Sequence, residues 1–205
     1  APLFNEGMGA IFLEDGSTLR SPESAAGIAL SSSGYGAYGW SNGWTNTSDV
    51  SQTTEGRPSS IHVNTTNVTA VGMAHGPIYF QSDGSTLGRL TPGDEAGFAL
   101  TSGDINGDQI PEWIIGAPGE SVVFALDASS HEILRRWEGT GRFGHALSVC
   151  SDQNGEPQLL VGAPLSETSG KVHIFTNFAA AATGVWQGAY AGSEFGTSLA
   201  CQPNG

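Results

Sequence analysis

The residues with the clearest chemistry stand at alternate positions in one short run, Asp104-Ile105-Asn106-Gly107-Asp108-Gln109-Ile110-Pro111-Glu112. Asp104, Asn106 and Asp108 offer side-chain oxygens, Ile110 a backbone carbonyl and Glu112 a further carboxylate. A calcium ion takes roughly six to eight oxygen ligands, and a loop that turns every second residue inward supplies them. The plain alternative is a tight turn, because Asn106-Gly107 is itself a turn signal.

Such a loop needs rigid elements on both sides, and the sequence provides them. Before it stands the short apolar run Phe98-Ala99-Leu100; after it come an apolar run ending in Gly116-Ala117-Pro118 and a second one, Val122 to Leu126. Looser copies of this unit recur. Phe143-Gly144-His145-Ala146-Leu147 leads to Leu159-Leu160-Val161-Gly162-Ala163-Pro164 and then Lys171-Val172-His173-Ile174-Phe175. Another copy opens at Phe195-Gly196-Thr197-Ser198-Leu199. Upstream, Gly27-Ile28-Ala29-Leu30 matches Gly97-Phe98-Ala99-Leu100, and the run from Ile11 to Leu19 matches that from Ile78 to Leu87.

The Phe-Gly opening, the Asp-x-Asn-x-Asp loop and the Gly-Ala-Pro triplet together resemble the FG-GAP repeat. That repeat builds the β-propellers of integrin α chains, of glycosylphosphatidylinositol-specific phospholipase D and of some fungal lectins. The resemblance is closest over residues 97–199, looser over 10–30 and 68–96, and absent from 31–67. It implies an all-β propeller of four-stranded blades, about four in this chain, with calcium (Ca2+) in the loop at 104–112. Two positions depart from the repeat's pattern: Glu112 stands where Asp is usual, and Gln109 where Gly is usual, which costs strain if its φ is positive.

On this reading residues 1–205 form a single propeller. Its units are 97–137, 143–190, 27–90 with an insertion at 31–67, and a blade shared between 195–205 and 1–20. That shared blade lacks a strand, so it is incomplete, or continues in a longer chain, or is completed by another chain. Other loops carry less. Asp152-Gln153-Asn154-Gly155-Glu156 is shorter and lacks the alternation, and Ser31-Ser32-Ser33 offers no carboxylate.

Composition narrows the class. The 30 Gly and 10 Pro, without collagen periodicity, suit many short strands and tight turns. A net charge of −13 with a single lysine, Lys171, argues against nucleic acid and anionic membrane as partners. No apolar run reaches bilayer length, which excludes insertion as a spanning helix. Three sequons, at Asn46, Asn64 and Asn67, and two cysteines fit a secreted or cell-surface protein. Cys150 and Cys201 hold near-equivalent positions in adjacent copies. They pair as a disulfide or remain two buried thiols.

The insertion carries Tyr35, Tyr38, Trp40 and Trp44 spaced by Gly and Ser, a composition for a loop that stacks on sugar rings or a partner protein, or that folds back over the blade edges. Residues 56–67 are expected to be exposed. Evidence for catalysis is thin. The sequence has no zincin, nucleophile-elbow or P-loop motif, and His62, His75, His131, His145 and His173 are scattered. In the phospholipase the chemistry sits in a separate domain outside the repeats.

The leading expectation is therefore a non-enzymatic, calcium-stabilised adhesion or structural module outside the cell. Its partners are a protein or glycan at the cell surface or matrix, with self-association through the incomplete blade. The alternative is a propeller lectin using the Tyr35–Trp44 stretch or the clefts between blades. An enzyme on the same scaffold ranks third.

Overall fold

The computed structural model describes residues 8–12, 18–24, 37–40, 43–46, 51–53, 58–66, 68–73, 76–82, 85–90 and 94–201. It is all-β, built of antiparallel sheets joined in sequence order, and no helix occurs among the described residues. This is a propeller-like organisation. The chain gathers into two compact units, Ala1–Thr91 and Pro92–Gly205.

The second unit holds two four-stranded sheets. One has β10 (Ala99–Gly103), β11 (Glu112–Ala117), β12 (Val122–Leu126) and β13 (Ile133–Glu138); the other has β14 (Ala146–Ser151), β15 (Pro157–Ala163), β16 (Lys171–Thr176) and β17 (Gly184–Gln187). β11 and β12 are buried along their whole length, which explains why, Glu112 apart, their sequences are apolar. β13 is the exposed edge, and only Trp137 on it is buried. The charged Arg135 and Arg136 on that edge discourage pairing with a further strand.

The two sheets stack face to face. Ile114, Val123, Ala125 and Trp137 of the first meet Leu159, Val161, Ala163 and Phe175 of the second in one core, which also takes in Ile105 and Phe143. The Trp137 indole N–H donates to the carbonyl of Ala179 at 2.8 Å, and its ring packs on Phe175 and, edge-on, on Phe178.

The repeat motifs have a steric cause. In the three described copies the opening glycine has positive φ (83° at Gly97, 92° at Gly144, 93° at Gly196), a region open to glycine and strained for other residues. The N–H of Gly97 donates to the carbonyl of Gly116 at 2.9 Å, and that of Gly144 to Gly162 at 3.0 Å. The carbonyl of the next opening glycine then presses on the same strand glycine. A Cβ on Gly116 would run into the oxygen of Gly144, and a Cβ on Gly162 into that of Gly196. Each repeat thus locks to its successor through a pair of glycines at which a side chain has no room.

Cys150 and Cys201 form a disulfide, with Cα atoms 5.9 Å apart and a sequence separation of 51. It ties β14 to the segment after Gly196, where the preceding pair of repeats has a non-covalent contact: a Cβ on Gly103 would lie 2.5 Å from Val149 Cγ1. In the chain-entropy picture a loop of this size contributes about 4 kcal/mol.

The first unit has three sheets: the hairpin β1 (Met8–Phe12) and β2 (Thr18–Ser24); the three-stranded β3 (Ala37–Trp40), β4 (Gly43–Asn46) and β5 (Ser51–Thr53); and the four-stranded β6 (Pro58–Val63), β7 (Thr69–Met73), β8 (Ile78–Ser82) and β9 (Ser85–Leu90). Ile61, Val63, Val71 and Met73 make its described core.

Here structure and expectation differ. The stretch 31–67 supplies a sheet of its own and then the first strand of the next, and β3 runs beside β6 as β10 runs beside β14. Residues 58–63 form an inner strand with Ile61 and Val63 buried, where exposure was expected for 56–67. The opening at Gly27–Leu30 lies outside the described residues. Further along, Ser82 pairs with Ser85, so Asp83 and Gly84 stand where a two-residue hairpin link belongs; both lie outside the described residues.

Candidate functional site

The loop joining β10 to β11 begins and ends on one paired rung, Gly103 opposite Glu112. Ile105 is 2 % exposed and sits in the core between the two sheets, while Asp104 is half-buried and Asn106 and Asp108 are exposed. The buried Ile105 anchors the loop. The sequence reading passed over it as a spacer, although an isolated isoleucine between three polar ligand types was the available signal.

The side chains of Asp104, Asn106, Asp108 and Glu112 are all engaged. Asp104 accepts from the N–H of Gly107 at 2.6 Å and of Gln109 at 2.8 Å. Asn106 Oδ1 accepts from Asp108 N–H, and Asp108 Oδ1 from Ile110 N–H, both at 2.8 Å. The loop needs two left-handed residues, Gly107 at φ 85° and Gln109 at φ 72°. The second carries the strain foreseen for a non-glycine at that position.

Glu112 is the unusual member, a carboxylate 2 % exposed. Its Oε2 accepts from Ile105 N–H at 3.0 Å, and its Oε1 from Asn106 Nδ2 at 2.9 Å. Burial pushes its carboxyl above the usual range; the Ile105 N–H opposes this, and the charges of Asp108 and Asp104 add to it. Three acids in one loop, one of them buried, make an environment that favours positive charge.

As a donor set for calcium the chemistry fits, since all ligands are hard oxygens and three are carboxylates. The positions are not those of a closed cage. Among the described residues no group of three or more His, Cys, Asp or Glu side chains is drawn together for a metal ion. The Asn106 amide nitrogen lies between Asp108 Oδ2, at 3.0 Å, and Glu112 Oε1. It does by hydrogen bonding what a cation would do by charge. Coordination would require that amide to turn its oxygen inward.

The corresponding loop of the next repeat is closed differently. Asp152 Oδ1 accepts from the N–H of Asn154 at 2.8 Å and of Glu156 at 2.9 Å, and Asp152 N–H donates to the Glu156 carbonyl. Those N–H groups hold the Asp152 carboxyl below its usual range. The residue in register with Glu112 is Gln158, opposite Cys150 on the strand, and it reaches Thr176 Oγ1 at 3.4 Å.

The remaining expected sites fare variously. Trp40 pairs with Gly43, Tyr38 with Thr45 and Gly39 with Trp44, so the aromatic stretch is a hairpin in which Trp44 belongs to the opposite face from Tyr38 and Trp40. Tyr35 and Asn67 lie outside the described residues, and Asn46 ends β4. Asn64 is 3 % exposed, and its oxygen accepts from Thr66 N–H, Thr66 Oγ1 and Val68 N–H. It caps a turn and leaves little room for a glycan.

His145 packs on Phe98, with ring centroids 4.8 Å apart, and its Nδ1 lies 3.2 Å from the Thr197 carbonyl; burial lowers its pKa. This is a packing role between successive repeats. His75 lies outside the described residues.

Comparison with known proteins gives partial likenesses. No known family profile matches the chain. It is similar to phosphatidylinositol-glycan-specific phospholipase D of Homo sapiens, 35 % identical, covering 33 % of this chain and 11 % of that protein. The Bos taurus protein of the same name is 32 % identical, covering 36 % and 11 %. The chain therefore spans about a tenth of the length of these curated relatives. In fold it resembles a chain in the crystal structure of a mitotic checkpoint complex, with a TM-score of 0.66 and 15 % identity, covering 90 % of this chain and 59 % of that one. That likeness, to a β-propeller, concerns the fold alone. No described helix is long and apolar enough to cross a membrane. The disulfide is compatible with an oxidising compartment.

Proposed function

We propose that the chain is a non-enzymatic, extracellular adhesion or structural module built of FG-GAP repeats. In this reading a calcium ion stabilises its 104–112 loop, and the module associates with itself. The observation that carries the metal is Glu112, an acid 2 % exposed beside two further acids in one loop. Asp104, Asn106, Asp108 and Glu112 would hold the ion with side-chain oxygens and Ile110 with its carbonyl. Bound calcium would supply charge neutralisation and rigidity.

Support for the extracellular setting comes from the disulfide and from the partial likeness to the phospholipase. Adhesion rests on the repeat type. The direct test is sedimentation velocity and thermal melting of the protein in calcium and in EDTA. Calcium at a hundred times its Kd should stabilise by about 2.7 kcal/mol, and the sedimenting species should be larger than a monomer. An unchanged melting temperature removes the metal; a monomer under all conditions removes the self-association.

A second reading, a sugar-binding module, is favoured by the β3–β4 hairpin, which places Tyr38 and Trp40 at alternate positions on one face. Glycan-array binding that disappears in Trp40→Ala and survives in Trp44→Ala would support it, and silence toward all glycans would end it.

A further inference from the structure

The two completed repeats each carry an Asn-Gly pair in the loop that follows the first strand: Asn106-Gly107 after β10 and Asn154-Gly155 after β14. Asn42 and Asn204, which also precede glycine, lie outside the described residues. Asparagine before glycine is the setting for attack by the backbone on a side-chain amide. The glycine has no Cβ to shield the amide carbon, and its nitrogen is free to swing toward it. The two pairs are alike in much of what governs that attack. All four residues are exposed. Gly107 and Gly155 have φ of 85° and 83°, and a Cβ on either would meet nothing within 4 Å.

They differ at the amide. Asn106 is held at both ends. Its Oδ1 accepts from Asp108 N–H at 2.8 Å, and its Nδ2 donates to Asp108 Oδ2 at 3.0 Å and to Glu112 Oε1 at 2.9 Å. The attacking nitrogen is held too, because Gly107 N–H donates to the Asp104 carboxylate at 2.6 Å. Taking the proton from that nitrogen would set a negative atom against a carboxylate. Asn154 Nδ2, by contrast, makes one long bond, 3.4 Å to Asp152 Oδ2, and Gly155 N–H donates to the Asp152 carbonyl at 3.1 Å. The Asp152 carboxylate is taken up chiefly by the N–H groups of Glu156 and Asn154.

We infer that Asn154 is a site of spontaneous deamidation and that Asn106, in the matching loop, is protected from it. The Gly155 nitrogen gives its proton to solvent base and bonds to Asn154 Cγ. The bond from Cγ to Nδ2 breaks, and that nitrogen takes a proton from water and leaves as ammonia. Water then opens the cyclic imide at either carbonyl, leaving aspartate or isoaspartate at 154. Nothing is oxidised or reduced, and water is the co-reactant. The product has gained a negative charge and lost the Nδ2 donor to Asp152. In the isoaspartate form the main chain is longer by a methylene, which loosens the turn. At Asn106 the hydrogen bonds to Asp108 and Glu112 must break before the reacting atoms can meet. Deamidation at 154 is independent of the metal and of the proposed function.

The test is incubation of the folded full chain in EDTA at mildly alkaline pH, in water enriched in heavy oxygen. Peptides spanning the two loops are then followed by mass spectrometry. Expected is uptake of label at residue 154, as a mixture of aspartate and isoaspartate, at least about tenfold faster than at residue 106. The chain unfolded in denaturant should label both positions at similar rates, because the protection resides in the folded loop. Labelling of residue 106 as fast as 154 in the folded chain overturns the inference. So does a folded chain that takes up no label at 154 while the unfolded chain does, or a difference between the two positions that persists unchanged on unfolding.

Discussion

The loops that follow β10 and β14 leave the same point of two neighbouring sheets, yet only one gathers acids. Asp108 and Glu112 both accept from the Asn106 amide nitrogen, and Asp104 holds the backbone of the same loop. Asp152 folds back onto its own backbone, and Gln158 stands where Glu112 would be. The glycine contacts that join successive repeats are the same in both. The frame is therefore common property, and the chemistry belongs to one loop. A buried carboxylate costs stability unless its oxygens are satisfied, and here the Ile105 N–H and the Asn106 amide donate to them.

The largest test of the shared frame is covalent. Replacing both cysteines by serine should cost about 4 kcal/mol, read as a lower denaturant midpoint with a steeper slope, because the unlinked unfolded chain exposes more surface. Placing cysteines at Gly103 and Val149, the matching contact one repeat earlier, should create a second bond and recover a similar amount. Failure of that bond to form would break the equivalence of the two junctions. Next in size, Gly116→Ala and Gly162→Ala should each cost about 2–3 kcal/mol, and equally, because each Cβ meets the same carbonyl of the following turn. Chemical denaturation of the two variants side by side would show any inequality.

The repeats should then part company over Glu112. Glu112→Gln should abolish the calcium-dependent rise in melting temperature, about 2.7 kcal/mol at a hundred times Kd, whereas Gln158→Glu should confer none. In EDTA the sign of the pH effect is informative. A carboxyl whose folded pKa is raised binds its proton more tightly when folded. Its contribution is present below the unfolded pKa, is lost as pH rises through the folded pKa, and should disappear in the glutamine variant. His62 acts in another window. Burial lowers its pKa from 6.5 to about 4, so its contribution is present above 6.5 and lost as pH falls through about 4. Melting profiles across pH 3 to 8, on the order of one point per half unit, with His62→Gln and Glu112→Gln would separate the two. Smallest of all, Asp152→Asn should leave the calcium response untouched.

Much of the second unit was legible because its motifs are steric requirements. Phe-Gly and Gly-Ala-Pro recur where a side chain has no room, so sequence and contact carry the same information. The buried runs Trp113–Ile115 and Val122–Leu126 read directly as inner strands. The stretch 31–67 was illegible for the converse reason. Its sequence carries neither the Phe-Gly nor the Gly-Ala-Pro motif, and a Gly-, Ser- and aromatic-rich run has the composition of a loop even where the backbone pairs as a sheet. Ile105 and Asn64 were misjudged because burial at a single position has no periodicity to announce it. At the candidate site the ligand types could be read, while the inward turn of the Asn106 nitrogen could not, since nothing in a sequence tells which end of an amide faces the acids.

The decisive measurement is isothermal titration of calcium into the apo protein and into Glu112→Gln and Asp152→Asn. One ion per chain, absent in the first variant and retained in the second, is the expected result. Binding that survives Glu112→Gln, or no binding to the unaltered chain, would contradict the assignment of the 104–112 loop as the metal centre.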